Sequence, residues 1–169
     1  MKIPKKKKKK MQNNYKKMSV TLKSSDGRAY VISGEACKLS RYLQNYVYSG
    51  QKEITLDEAK GNVVKALSEY LQYYADKEFP QIPEIITGND ISKLLSQFDL
   101  RFINSLSFEQ AFNLINVSNT LDLEHLHDLS CFKIAAFIKG KTPEEVSKEF
   151  IIECQLSQDE AKQLGLEPN

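Results

Sequence analysis

Ile138-Lys139-Gly140-Lys141-Thr142-Pro143-Glu144-Glu145 stops one helix and starts the next within a single short stretch. Gly140 suits a helix C-terminus, because glycine enters the left-handed region without a steric penalty. Thr142 reads as an N-cap, and Pro143 stands at the first helical position, where its missing N–H costs nothing. Glu145 at the third position closes a capping box. Val146, Phe150 and Ile151 then give the new helix an apolar side.

Upstream, Asp122 is expected to cap a helix that runs to about Ile138. On a helical wheel Leu123, Leu126, Ile134 and Phe137 form one stripe, while Leu129, Phe132 and Ala136 lie well off it. A helix apolar on more than one side is either central to the core or keeps a second face for a partner. Ser107 caps an earlier helix, with Phe108, Ala111, Phe112 and Ile115 on one face. Val63, Val64, Leu67, Tyr70, Leu71 and Tyr74 follow helical spacing, and that helix must stop before Pro80. Two prolines and a glycine make Phe79 to Gly88 a loop.

Nearer the start the period changes from helix to strand. Val20 and Leu22 alternate with Thr21 and Lys23, Ser25-Asp26-Gly27 supplies a turn, and Ala29 to Ile32 resumes, which is a hairpin. Ser33 caps a short helix, Ser40 another through Tyr42, Leu43, Tyr46 and Val47, and Glu53 to Leu56 is a third strand. The fold class is α+β, with a small sheet followed by a helical half.

The net charge of +2 conceals a split: residues 1–17 hold nine lysines and no acid, leaving 15 basic against 22 acidic residues elsewhere. Six consecutive lysines repel one another and bury nothing, so this segment is expected to be a disordered tail. It reads as a nuclear-import signal, a weak grip on polyanions, or a solvated appendage. The acidic remainder lacks the clustered cations that phosphate neutralisation requires, so no specific nucleic-acid partner is expected. No run of about 18 apolar residues offers a membrane span, and no apolar segment behind the N-terminal charge suggests secretion. The expected location is the cytoplasm and nucleus.

Nothing in the sequence assembles a catalytic constellation. His125 and His127 point about 160° apart on a helix, so they cannot share a metal. They read as a surface residue and an interface or core-edge residue. Cys37, Cys131 and Cys154 are widely spaced, with no C-x-x-C pair and no histidine at a recognisable catalytic spacing. The seven glycines are scattered, so no phosphate loop is present. The expectations are no enzyme activity, no metal, no cofactor and no small-molecule substrate.

The strings Ser24-Ser25-Asp26-Gly27 and Lys139-Gly140-Lys141-Thr142-Pro143-Glu144-Glu145 resemble the two ends of the S-phase-kinase-associated protein (SKP) family of ubiquitin-ligase adaptors. Between them, Asp99-Leu100-Arg101-Phe102 resembles the family's D-x-x-F, and Asn119-Thr120-Leu121-Asp122-Leu123 its N-Y-L-D-I. The resemblance covers about residues 19–152 in order, and continuation through Phe150 separates the chain from elongin C relatives. It implies a BTB/POZ domain over 18–121, a helical extension over 122–152, and a shortened tail or last helix over 153–169, behind the tail of 1–17. It further implies an adaptor that holds an F-box substrate receptor against a cullin. The F-box side would comprise Phe112, Ile115, His127, Ile134, Ile138, Val146, Phe150 and Ile152; Leu123 and Phe137 are read as core. The cullin side would comprise Asn119 and Thr120, and Pro143 is a candidate for hydroxylation.

Three departures from the family pattern matter. His127 stands where an aliphatic residue is usual, and Thr120 replaces the tyrosine of N-Y-L-D, removing an interface aromatic. The chain has no tryptophan, whereas relatives end in a tryptophan-bearing helix that covers the F-box; Ser157-Gln158-Asp159-Glu160 is at most a cap and first turn. A divergent paralogue that binds F-box-like partners without a cullin, or self-association through the BTB part, are the alternatives.

Overall fold

The computed structural model describes residues 18–80, 95–153 and Lys162. The lysine-rich tail over 1–17, most of the loop over Phe79–Gly88 and the cap at Ser157 lie outside the described residues, as does Cys154.

The hairpin forms as the alternation requires, with β1 at Ser19–Ser24 and β2 at Ala29–Ser33, paired so that Val20 faces Ile32 and Leu22 faces Tyr30. Gly27 takes a φ of +80°, the left-handed conformation that suits glycine in this turn. The Arg28 N–H donates to Ser24 Oγ at 3.0 Å and closes it. β3, Glu53–Leu56, lies parallel to β1, giving the order β2-β1-β3. A parallel neighbour needs a crossover; here it contains α1, Gly34–Cys37, and α2, Arg41–Tyr48.

One face of the sheet presents Val20, Leu22, Ile32, Ile54 and Leu56, all buried. It is covered by α3, Gly61–Tyr74, whose Val63, Val64, Leu67, Tyr70 and Leu71 are buried in turn. At about 1.5–3 kcal/mol for each fully buried aliphatic side chain, this layer is the main source of stability in the first half. At the β2 edge, Gln72 of α3 donates its amide to the Val31 carbonyl (3.3 Å) and accepts from the Ser33 hydroxyl (3.1 Å).

The second half comprises α4 at Gln97–Ser105, α5 at Phe108–Thr120, α6 at Glu124–Ile138 and α7 at Pro143–Glu153. α4 was not expected as a helix; only its Asp99-Leu100-Arg101-Phe102 string stood out in the sequence. Ser96 caps it by accepting the Asp99 N–H, and the Asp99 carboxylate is buried where the Tyr74 and Ser96 hydroxyls each donate to it at 2.7 Å. Ser40 caps α2 as expected, accepting the Leu43 N–H at 2.9 Å, and its own proton goes to the Leu121 carbonyl at the end of α5.

Asp122 does not cap α6, contrary to expectation. Its φ is +55°, and the residue in the N-cap position is Leu123, which makes no side-chain cap. The reason lies in how α5 ends. The Asp122 N–H bonds the Asn119 carbonyl (3.2 Å) and the Leu123 N–H bonds that of Ser118 (2.9 Å), so a left-handed residue closes α5 in a Schellman arrangement. Aspartate tolerates that conformation, and its freed carboxylate pairs with Arg41 at 3.0 Å. A single core joins Leu22, Leu67, Leu114, Leu121, Leu126 and Leu129 and runs unbroken from the sheet into α6.

Candidate partner-binding face of the last three helices

α5 opens with a reciprocal cap: the Gln110 N–H donates to Ser107 Oγ (3.1 Å), and the Ser107 N–H donates to Gln110 Oε1 (2.9 Å). That fixes Phe108 on the inward side of the first turn. Its ring lies 4.5 Å from Phe137 of α6 and meets Phe150 of α7 edge-on at 5.1 Å. Phe108 therefore joins the three helices, a role the sequence reading missed.

The buried stripe of α5 runs through Phe108, Ala111, Leu114 and Val117. Phe112, grouped with Phe108 by the wheel, points outward and is 50% exposed. Both spacings, i+3 and i+4, occur on a helix face. The signal that selects i+3 is Leu114 and Val117, which extend the Phe108–Ala111 series.

α6 carries its own outward stripe. His127, Cys131, Ile134 and Ile138 fall on one side at helical spacing, half-buried except for Ile138, which is 44% exposed. Leu123 is buried as expected, whereas Phe137 is half-buried, with Lys141 Nζ 3.8 Å above its ring. Gly140, at φ +76°, ends the helix. The capping box of α7 forms as read: the Glu145 N–H donates to Thr142 Oγ1 (3.3 Å), and the Thr142 N–H donates to Glu145 Oε2 (2.8 Å). Lys141 also pairs with Glu149, so the connection is held from both sides. Val146 and Phe150 are half-buried and Pro143 is exposed; the Ile152 side chain is outside the described set.

The structure thus groups Ile134 and Ile138 on one stripe of α6, and Phe108 ties the α5 end that carries Phe112 to α6 and α7. Ile115 is half-buried one turn further along α5. His127 is apart from Ile138: eleven residues of helix separate them, about 16 Å along the axis. His127 instead shares a shallow cavity of about 280 Å³ with Asn119, Asp122 and Glu124. Thr120 is exposed at the last turn of α5 and lines another cavity of about 200 Å³ with Leu56, Asp57, Glu58 and Val117.

One spacing overlooked in the sequence is Cys131, four residues from His127, whose Sγ lies 3.8 Å from His127 Nδ1. Burial, together with the Asp128 charge, raises the thiol's pKa and so disfavours the thiolate. Burial likewise pushes the Cys37 thiol up to about 11. Among the described residues no group of three His, Cys, Asp or Glu is placed to hold a metal ion, and no helix is long and apolar enough to cross a membrane.

Comparison with known proteins places this face in context. The Skp1 family, dimerisation domain, matches residues 124–167. The chain is 29% identical over 147 residues to the S-phase kinase-associated protein 1 homolog of Tetrahymena thermophila, covering 86% of this chain and 89% of that protein. It is 28% identical over 151 residues to SKP1-like protein 15 of Arabidopsis thaliana, covering 85% of each. It is 26% identical over 152 residues to the E3 ubiquitin ligase complex SCF subunit sconC of Arthroderma benhamiae, covering 88% of this chain and 92% of that protein.

Proposed function

The chain belongs to the Skp1 family, and from that membership we propose that it is a non-catalytic adaptor joining an F-box substrate receptor to a cullin in an SCF ubiquitin ligase. The observation that carries the reading is the apolar ground where α5, α6 and α7 meet. Phe112 of α5 and Ile138 of α6 are exposed, and Val146 and Phe150 of α7 are half-buried. Exposed aromatic and aliphatic side chains on helices joined through Phe108 suit a small helical partner that must bury an apolar face of its own. An adaptor of this kind acts by geometry: it fixes the receptor relative to the ligase and raises the local concentration of substrate at the transferring enzyme.

The test is recovery of the tagged protein from its own cells, with identification of what accompanies it. F-box proteins together with a cullin are expected. F-box proteins without a cullin would favour a second reading, a paralogue that binds F-box-like partners outside such a ligase; small, exposed Thr120 at the end of α5 supports that reading. Recovery of neither would remove both.

We further infer that the lysines of 1–17 allow a nuclear as well as a cytoplasmic location, and that exposed Pro143 is accessible to hydroxylation. Self-association through the BTB part belongs to the same group of proposals.

A further inference from the structure

We propose that His127 and Cys131, on the outward stripe of α6, form a two-donor site for a borderline-soft divalent cation of the zinc class. The first support is spacing. Residues four apart stand on successive turns of one helix face, so both side chains leave α6 on the same side. Cys131 Sγ lies 3.8 Å from His127 Nδ1 and 4.0 Å from Nε2. A tetrahedral zinc ion holds sulfur at about 2.3 Å and imidazole nitrogen at about 2.0–2.1 Å, which sets the two donors about 3.5 Å apart. The pair stands within about 0.3 Å of that separation. Turning the imidazole about its Cβ–Cγ bond and the thiol about Cα–Cβ aims both donors at a shared ion, with the backbone of α6 in place.

The second support is the charge around the pair. An Asp128 carboxylate oxygen lies 3.6 Å from His127 Nδ1. Asp122 and Glu124 join His127 and Asp128 in lining the shallow cavity of about 280 Å³. Carboxylates on this side raise the local concentration of cations. Among the described residues no third side-chain donor joins the two, so water fills the remaining positions of the tetrahedron. On binding, the S–H bond breaks, the sulfur electron pair goes to the metal and the proton leaves to solvent. A dication with one thiolate keeps one positive charge, which the Asp128 carboxylate faces.

The donor types decide the class of ion. Magnesium and calcium take oxygen ligands, whereas a thiolate with an imidazole suits zinc and its neighbours. No other described histidine or cysteine competes for the ion. Both ring nitrogens of His125 are engaged, Nδ1 with the Tyr70 hydroxyl and Nε2 with the Pro80 carbonyl at 3.0 Å. Cys37 is fully buried. His127 and Cys131 are both partly open to solvent and are the one such pair among the described residues. Structural zinc sites use four protein ligands; two make a site that loads and unloads with the supply of metal.

The full chain, kept reduced without added thiols, provides the test. It is titrated with Co²⁺, whose bond to a thiolate gives a charge-transfer band in the near ultraviolet, and then with Zn²⁺. A saturating band that zinc displaces is expected. Cys131→Ser should abolish the band, and His127→Gln should weaken cobalt binding at least about tenfold. Cys154→Ser should leave band and affinity unchanged. Absence of a band in the wild type, a band kept in Cys131→Ser, or equal affinity in His127→Gln would overturn the proposal.

Discussion

Ser40 and Leu121, 81 residues apart, are joined through one hydroxyl that caps α2 and donates to the carbonyl of Leu121, the C-cap of α5. This buried contact ties the crossover of the sheet to the helical half at the point where α5 turns into α6. Ser40→Ala removes a cap and leaves the Leu121 carbonyl without its donor. The expected loss is about 1–3 kcal/mol, read as a lower urea midpoint at unchanged m-value.

Phe108 and Phe112 should separate stability from binding. Phe108→Ala empties the joint between α5, α6 and α7 and is expected to cost about 3 kcal/mol or more in urea unfolding. Phe112→Ala removes an exposed ring, so stability should shift by less than about 0.5 kcal/mol. F-box affinity measured by calorimetry should nevertheless fall by more than about 1 kcal/mol in Phe112→Ala, and likewise in Phe150→Ala. Unchanged affinity in both would move the docking face elsewhere.

Thr142→Ala should fray the start of α7. The reciprocal bonds between Thr142 and Glu145 satisfy two backbone N–H groups, and losing the hydroxyl costs about 1 kcal/mol. Faster amide hydrogen exchange at Glu145 and Val146, with α3 unaffected, is the expected result. Equal protection in the two proteins would mean that Lys141 and its pairing with Glu149 hold the turn unaided.

Stability should depend on His125 in the acid direction. Burial, the dominant influence, makes the native ring bind a proton more weakly than the unfolded chain does. Below about 6.5 the unfolded state therefore holds more protons, and stability falls with pH; above it the contribution is fully present. The difference in unfolding free energy between wild type and His125→Gln should shrink from pH 7.5 to 5.0. A constant difference across that range would show that His125 does not titrate within it.

The fold was legible wherever a local rule acts alone. Hairpin register followed from the alternation about Val20 and Leu22, and the caps at Ser33, Ser40, Ser107 and Thr142 followed from short polar residues ahead of apolar periods. Asp122 misled because the same residue type serves an N-cap and a left-handed closure, and only the bonds from Ser118 and Asn119 distinguish them. The apolar character of the last three helices was visible, but which aromatic turns inward was not. Phe108 and Phe112 are equivalent by composition, and the neighbouring helices decide between them. His125 was read with His127 only as a surface residue and an interface or core-edge residue, since the partners of His125, Tyr70, Phe79 and Pro80, are at least 45 positions away.

Gln72 carries a consequence for assembly. An outermost strand is a ready template for another chain, because its outward carbonyls and N–H groups seek partners. On β2 the Val31 carbonyl is engaged by the Gln72 amide, which is anchored in turn by the Ser33 hydroxyl. A foreign strand approaching this side must first displace a side chain held at two points. Strand addition at the β2 edge is therefore opposed at Val31 by a side chain of the helix that covers the sheet.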